Sequence, residues 1–201
     1  MMEACQIYLV RHGETAWNAE GRIQGQTDIE LNQVGRDQAE ALALKLANTT
    51  YDAIFASDLS RARDTAAPVA RQKGQAVIEA PRLRELDFGD YEGRLAVELK
   101  QQFPDWFKRF ASTTPEFSVP NGETYAAFFQ RVTQALGNMA RERQGQRLLV
   151  VVHGGVVSCA LRRALPPEEK TRRLAIKNGS ITRIDIDAAD TWTVVSSDAL
   201  R

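Results

Sequence analysis

The chain has 201 residues, enough for one domain that buries about 70% of its unfolded surface without metal or disulfide staples. Lys plus Arg and Asp plus Glu both number 26, so the formal net charge is zero, and no long single-sign run marks a nucleic-acid or membrane surface. Recognition of an anion must then be local.

The N-terminal stretch MMEACQIYLV carries an early Glu3 and an apolar run too short for a secretory signal, and nowhere does an apolar run approach the roughly 18 residues of a membrane span. The expectation is a soluble cytoplasmic protein that engages neither nucleic acid nor membrane. Cys5 and Cys159 lie in apolar segments and read as small buried hydrophobes of a reducing compartment, not as a disulfide framework. The first apolar run, 6–10, predicts a strand that ends on Arg11, His12 and Gly13 in IYLVRHGETAWN. Ala39, Leu42, Ala43 and Leu46 recur at helical spacing and predict a helix capped by Asn32 and stopped by Asn48. A second strand over 53–56 leads into IFASDLSRARDTAAPVA, where Ser57 or Asp58 can cap a helix. That places Arg61 in the first turn near the sheet edge, while Arg63 lies about 200° round the helix and points elsewhere.

A third strand over 75–79 precedes RLRELDFGDYEG, a loop of both charge signs with Glu85 and Asp87 as candidate acids. From 88 to 122 the strand–helix rhythm breaks, with aromatic residues at 103, 106, 107, 110 and 117 and prolines at 104, 115 and 120. Two readings stand: a helical and loop insertion covering an active site, or a hydrophobic cluster packed on the body as a satellite. Tyr125, Phe128, Val132, Leu136 and Met139 stripe a long helix over 123–142, and 148–152 predicts a strand ending at His153 and Gly154 in LLVVVHGGVV. SITRIDID and TWTVVS alternate about a DAAD connection, which predicts an antiparallel edge hairpin. The other runs are short, β-branched and not alternating, as in strands buried on both faces. A single α/β domain over 1–201 follows, with a largely parallel sheet and an antiparallel margin. The hairpin leaves an edge where a second copy could pair as a homodimer, though nothing requires it.

Both histidines of the chain sit after an apolar run and before a glycine. In parallel α/β sheets, ligands bind at the carboxyl ends of strands, where helix N-termini offer backbone N–H groups. If the two strands are neighbours, the imidazoles face one another across a pocket floor, and a helix beginning at Gly154 adds its N–H groups to the cation of Arg11. Such a corner suits a dianion. No G-x-G-x-x-G follows the first strand, which sets aside a dinucleotide site. The sequons NTT at 48–50 and NGS at 178–180 are chance-level patterns without a secretory signal and carry no weight.

LVRHGETAWN, SDLSRARDTA, RELDFGDYEG, PNGET and VVVHGG, strung in order across 7–155, resemble the successive motifs of the histidine phosphatase superfamily, also called the phosphoglycerate mutase-like fold. The resemblance implies a three-layer α/β/α sandwich in which His12 is the nucleophile that becomes a phosphohistidine. It implies that Arg11, Arg61 and His153 bind the phosphoryl oxygens, that Asn18 joins them, and that Glu85 donates a proton to the leaving group. Thr15, Gly13, Gln24, Gly25 and Gly154 are further candidate substrate contacts. The physics fits without metal or cofactor, since phosphoryl transfer asks mainly for positioning and for neutralising charge on the equatorial oxygens. His12 must attack as neutral imidazole, and a backbone carbonyl is expected to hold its other ring nitrogen and fix the tautomer. Gly13 is expected to give clearance for close backbone approach.

Mutases resembling this chain are typically longer and carry extra arginines and a lysine after the Glu loop, whereas here that region offers Lys100, Lys108 and Arg109 among aromatic residues, without an Arg-Arg pair. Gln24 and Gln26 also stand where threonine and tryptophan are expected. Both departures favour a metal-independent phosphatase of small phosphorylated metabolites, with a cofactor-dependent mutase as the alternative. DFGDYEG and PNGET also resemble phosphatases of α-ribazole phosphate and broad-specificity bacterial phosphatases. A non-catalytic phosphate-binding module would have lost its nucleophile or acid, and His12, Glu85 and His153 are all present.

Overall fold

Successive residues of a strand point to opposite faces, so an uninterrupted apolar strand needs cover on both sides. The structure, a computed structural model, describes residues 3–111, 114–169 and 174–200 and meets that need. Strands β1 (Cys5–Arg11), β2 (Ala53–Ala56), β3 (Val77–Glu79), β4 (Arg147–Val152), β5 (Ile181–Ile186) and β6 (Trp192–Ser197) form one sheet in the order β3-β2-β4-β1-β5-β6. β1, β2, β3 and β4 run parallel, while β5 and β6 form the expected antiparallel margin.

β4 shows how the layers arise. Leu148, Val150 and Val152 enter one core with Phe128, Val132, Leu136 and Ala140 of α6 (Tyr125–Glu142) and with Val156, Val157, Ala160 and Leu161 of α7 (Gly154–Ala164). Leu149 and Val151 enter the other core with Leu42 and Ala43 of α2 (Gln33–Lys45) and Ala62, Ala66 and Val69 of α3 (Ser60–Lys73). The sheet is thus the middle of three layers. No helix among the described residues is long and apolar enough to cross a membrane.

The helix ends differ from expectation in instructive ways. Asn32 caps α2 as expected, its Oδ1 accepting from Gly35 N at 2.8 Å, but the helix ends at Lys45 and not at Asn48. At α3 the expected cap by Ser57 or Asp58 is corrected: the capping position is Leu59, which has no side-chain acceptor. Asp58 is instead engaged by Arg84, through bonds of 2.8 and 2.5 Å from Nε and Nη2, a charge-assisted pair stronger than a cap. The helix start is served from a distance by Asp28, whose Oδ1 accepts from Ser60 N at 2.8 Å and Oγ at 2.7 Å. Arg61 keeps its first-turn place, and Arg63 turns to Glu79 at 3.1 Å on the surface.

The 88–122 segment contains α4 (Ala96–Gln102) and α5 (Pro104–Ala111) between 3₁₀ and loop structure. Tyr91 stacks on Phe103 at 5.6 Å and meets Trp106 edge-on at 4.9 Å, and Trp106 in turn meets Phe117 at 5.2 Å. Tyr91, Leu99, Phe117 and Val119 are buried in the same core as α6 and α7, so these aromatic residues extend that core and are not a satellite. The side chains at 107 and 110 lie outside the described residues.

α2 approaches the end of β1 so closely that a Cβ on Gly13 would lie 2.5 Å from the Gly35 carbonyl oxygen, and one on Gly35 would lie 2.0 Å from the Glu14 carbonyl oxygen. The clearance expected of Gly13 is therefore clearance for a helix. Gly35→Ala gains about 1 kcal/mol in helix propensity but overpacks backbone against backbone, which costs about 1–3 kcal/mol or more. The expected outcome is a lowered urea midpoint; a raised one would show that the corner and α2 part without cost.

Candidate active site

The parallel pairing of β1 with β4 sets Arg11 opposite Val152, so the next residue of each strand, His12 and His153, leaves the sheet at the same place. His12 N donates to Val152 O at 2.9 Å, and the two ring centroids lie 5.2 Å apart at 62°. Both rings are buried, His153 completely. His12 Nδ1 lies 2.7 Å from Gly13 O, an acceptor that makes Nδ1 the protonated nitrogen and leaves Nε2 with its lone pair.

Two arginines flank the rings. Arg61 is fully buried and is held by Nη1 to Thr27 O at 2.8 Å and Nη2 to Gly25 O at 2.7 Å. Arg11 is held by Nη1 to Ile176 O at 2.7 Å. Burial opposes both guanidinium charges, and Glu85 supports each. Burial also holds both imidazoles well below their ordinary pKa, and Arg61 and Arg11 reinforce this. Arg11 Nε, Arg61 Nε and both ring nitrogens of His153 are buried without a hydrogen-bond partner among the described residues. Buried polar nitrogens are almost always paired, so four on one corner mark a place shaped for an oxygen-rich ligand.

Glu85 faces this corner from the loop after β3. Its Oε2 accepts from Gly155 N and its Oε1 from Leu86 N, both at 2.9 Å. One N–H of the α7 terminus is thus committed to Glu85. A Cβ on Gly155 would lie 2.1 Å from Glu85 Oε1, whereas one on Gly154 would meet Arg11 Nε at an ordinary 3.6 Å, so the stricter glycine of the pair is Gly155. Asp87, the other candidate acid, closes a turn by accepting from Gly89 N at 2.8 Å.

The remaining candidates also make bonds that brace the corner. Thr15 caps α1 (Ala16–Glu20) in a reciprocal capping box with Asn18, and its Oγ1 also donates to Gln24 Oε1 at 2.9 Å. Gln24 is buried and turned inward, and Gly25 contributes its carbonyl to Arg61. Asn18 Oδ1 accepts from Thr15 N at 3.3 Å.

Four bracing residues escape a reading of the sequence. Glu92 accepts from Gln26 N and Thr27 N, both at 2.8 Å, from Thr27 Oγ1, and from Phe88 N at 3.1 Å, and so shapes the loop that holds Arg61. Arg131 pairs with Glu123 through bonds of 3.0 and 2.8 Å and donates to the carbonyls of Arg82, Arg84 and Glu85 at 2.8, 3.1 and 3.3 Å. Thr65 Oγ1 accepts from Gly13 N at 2.9 Å, and Asn178 donates to His12 O at 2.9 Å. Glu92 and Glu123 lie inside DFGDYEG and PNGET, the one signal available for them. Among the described residues no group of three or more His, Cys, Asp or Glu is placed to hold a metal ion.

The model of the histidine phosphatase superfamily (branch 1) matches residues 7–199. Phosphoglycerate mutase-like protein 4 of Arabidopsis thaliana is 36% identical over 196 residues, 96% of this chain and 84% of that protein. The mycobacterial glucosyl-3-phosphoglycerate phosphatase superposes with a TM-score of 0.86 at 26% identity, covering 98% of this chain and all of the other (100%). The α-ribazole phosphatase from Shigella flexneri superposes with a TM-score of 0.80 at 29% identity, covering 96% of each chain. With its three-layer fold and paired histidine corners, the chain belongs to the histidine phosphatase superfamily, whose members act as phosphatases or mutases.

Proposed function

We propose that the protein is a metal-independent phosphomonoester hydrolase that acts on small phosphorylated metabolites through a phosphohistidine at His12. The observation that carries this reading is the cluster of unpartnered buried nitrogens on Arg11, Arg61 and His153 around a histidine whose Nε2 is free to attack. A phosphoryl group presents acceptor oxygens with nearly two negative charges, and that arrangement supplies cations and N–H donors. The same guanidinium charges disfavour a metal cation in the corner.

In the first step the Nε2 lone pair of His12 attacks phosphorus, the P–O ester bond breaks, and Glu85 gives a proton to the departing alkoxide. In the second, a water molecule loses a proton to Glu85 and attacks phosphorus, and the P–N bond breaks to return neutral His12. The sum is ester plus water to alcohol plus phosphate. Segment 88–122 forms one wall of the site, a role supported by Glu92, which ties its start to the Gln26–Thr27 backbone.

Hydrolysis is favoured over mutase activity by Gln24 and Gln26. Both stand where the resembling mutases carry threonine and tryptophan, and both are drawn into the scaffold, Gln24 Oε1 accepting from Thr15 Oγ1 and Gln26 Nε2 donating to Glu85 O at 3.2 Å. The mutase reading is supported by the names of the curated relatives, the Arabidopsis protein and several bacterial proteins named as probable phosphoglycerate mutases among them. A panel of phosphorylated metabolites that includes 3-phosphoglycerate and its bisphosphate separates the two: release of inorganic phosphate supports hydrolysis, and interconversion of phosphoglycerates without release overturns it.

His12→Ala is expected to abolish phosphate release from every active ester, and retained turnover would remove His12 as the nucleophile. Glu85→Gln is expected to slow esters with poor leaving groups by about 10²–10⁴-fold and activated aryl esters far less. An equal loss across leaving groups would count against the acid role. Stripping with EDTA is expected to leave the rate unchanged.

Keeping two imidazoles neutral and buried has a consequence for stability. Their folded pKa values lie below the unfolded ones, so as pH falls through about 6.5 the unfolded chain takes up protons that the folded chain refuses. Stability present at neutral pH is expected to fall on acidification by about 1.4 kcal/mol per pH unit for each such proton. Urea midpoints between pH 7 and 5 check this, and His153→Asn is expected to halve the slope.

A further inference from the structure

The loop before β5 makes more contacts with the His12 corner than any motif in it suggests. Gly179 N donates to Arg11 O at 2.9 Å, Arg11 N donates to Ser180 O at 3.2 Å, and Ile176 O holds the Arg11 guanidinium. At the centre is Asn178, half-buried, whose Nδ2 lies 2.9 Å from His12 O, 3.2 Å from Gly13 O and 3.2 Å from Asn18 Oδ1. Its orientation is decided by its partners: two of the three are backbone carbonyls, which only accept, so the atom facing them is the amide nitrogen.

We propose that Asn178 is a positioning residue that fixes both the ring tautomer of His12 and the amide orientation of Asn18. The first action passes through Gly13 O, which accepts from His12 Nδ1 on one side and from Asn178 on the other. Gly13 has no side chain to restrict its peptide, so something must stop the carbonyl from rotating away from the ring. Asn178 holds the oxygen end of that peptide plane, and Gln38 Oε1, accepting from Glu14 N at 2.9 Å, holds the nitrogen end. With the carbonyl fixed, the proton stays on Nδ1 and the lone pair stays on Nε2.

The second action passes through Asn18. Its Oδ1 accepts from Thr15 N and from Asn178, both obligate donors in this geometry. The Asn18 amide therefore cannot flip, and its NH₂ is kept as the free end. A flipped Asn18 would present an oxygen to a phosphoryl oxygen, a repulsive contact. This second action rests on the proposed phosphoryl site; the first is a property of the free protein.

The chain has two histidines, so a long-range proton–nitrogen spectrum contains two imidazoles, and His12→Asn assigns them. In the unaltered protein the His12 ring is expected to show one protonated Nδ1 and one bare Nε2, well separated in nitrogen shift. Asn178→Ala is expected to draw the two shifts together as the tautomers mix, and to lower kcat by about 10–100-fold. Asn178→Asp, isosteric but without the donor, is expected to do the same and keeps the test open if the alanine variant does not fold. Unchanged His12 nitrogen shifts in the folded variants overturn the tautomer role, even if melting temperature and rate both fall. For Asn18, the probe is inorganic phosphate: Asn178→Ala is expected to weaken its binding about tenfold, and Asn18→Ala on that background to add little. Fully additive losses overturn that half. The spectrum is read without substrate, so turnover surviving in His12→Ala would sink the nucleophile reading and leave the tautomer result standing.

Discussion

Everything in this molecule depends on the parallel pairing of β1 with β4, because that register brings two imidazoles and the Arg11 guanidinium to one buried corner. Burying charged and polar groups is costly unless they are hydrogen-bonded. The chain meets the cost with backbone carbonyls, Gly25 and Thr27 for Arg61 and Ile176 for Arg11. Carbonyls that hold a cation must themselves stay in place. The residues around the corner are best understood as answers to that second requirement.

Glu92 and Arg131 answer it in complementary ways. Glu92 gathers backbone N–H groups of the loop that carries the Arg61 acceptors, and Arg131 gathers carbonyls of the loop that carries Glu85. An acceptor-only carboxylate suits one and a donor-only fork suits the other. Gln26 joins the two loops by donating to Glu85 O, so the arginine side and the acid side are one network. A reaction that needs a nucleophile, an acid and two cations fixed at one centre gains from that rigidity, since small misplacements of reacting groups cost large factors in rate.

Glu85, on a loop of both charge signs, stood out from Asp87 only through the resemblance of RELDFGDYEG to a family motif, whereas Arg11, His12, Arg61 and His153 were legible in the sequence because strand ends and a helix first turn place side chains by local geometry. The three layers were legible for the same reason, from apolar runs that fail to alternate. Thr15 and Gln24 were legible as neighbours of the corner but not as partners of each other, a pairing that depends on the path of the whole 13–28 loop. The cap of α3 misled because Asp58 has a stronger claim on it from Arg84, 26 residues away in sequence. Asn178 was hidden in a sequon of no significance as a sequon. Its partners lie 160 to 166 residues earlier in the chain, and no local pattern announces a bond to a backbone oxygen.

The choice between water and a second metabolite as phosphoryl acceptor turns on groups left unspent at the rim. The capture half of the reaction needs only the corner itself, so it is common to both outcomes. Retaining an acceptor for the return step would need further donors aimed outward from the 24–27 loop or from the Glu85 side. In this chain the Gln24 oxygen accepts from Thr15, the Gln26 amide is committed to Glu85 O, and the Arg84 fork is committed to Asp58. Each of these bonds tightens the corner. The proposed hydrolysis asks least of such a corner, because water, the smallest acceptor, needs no handle at the rim.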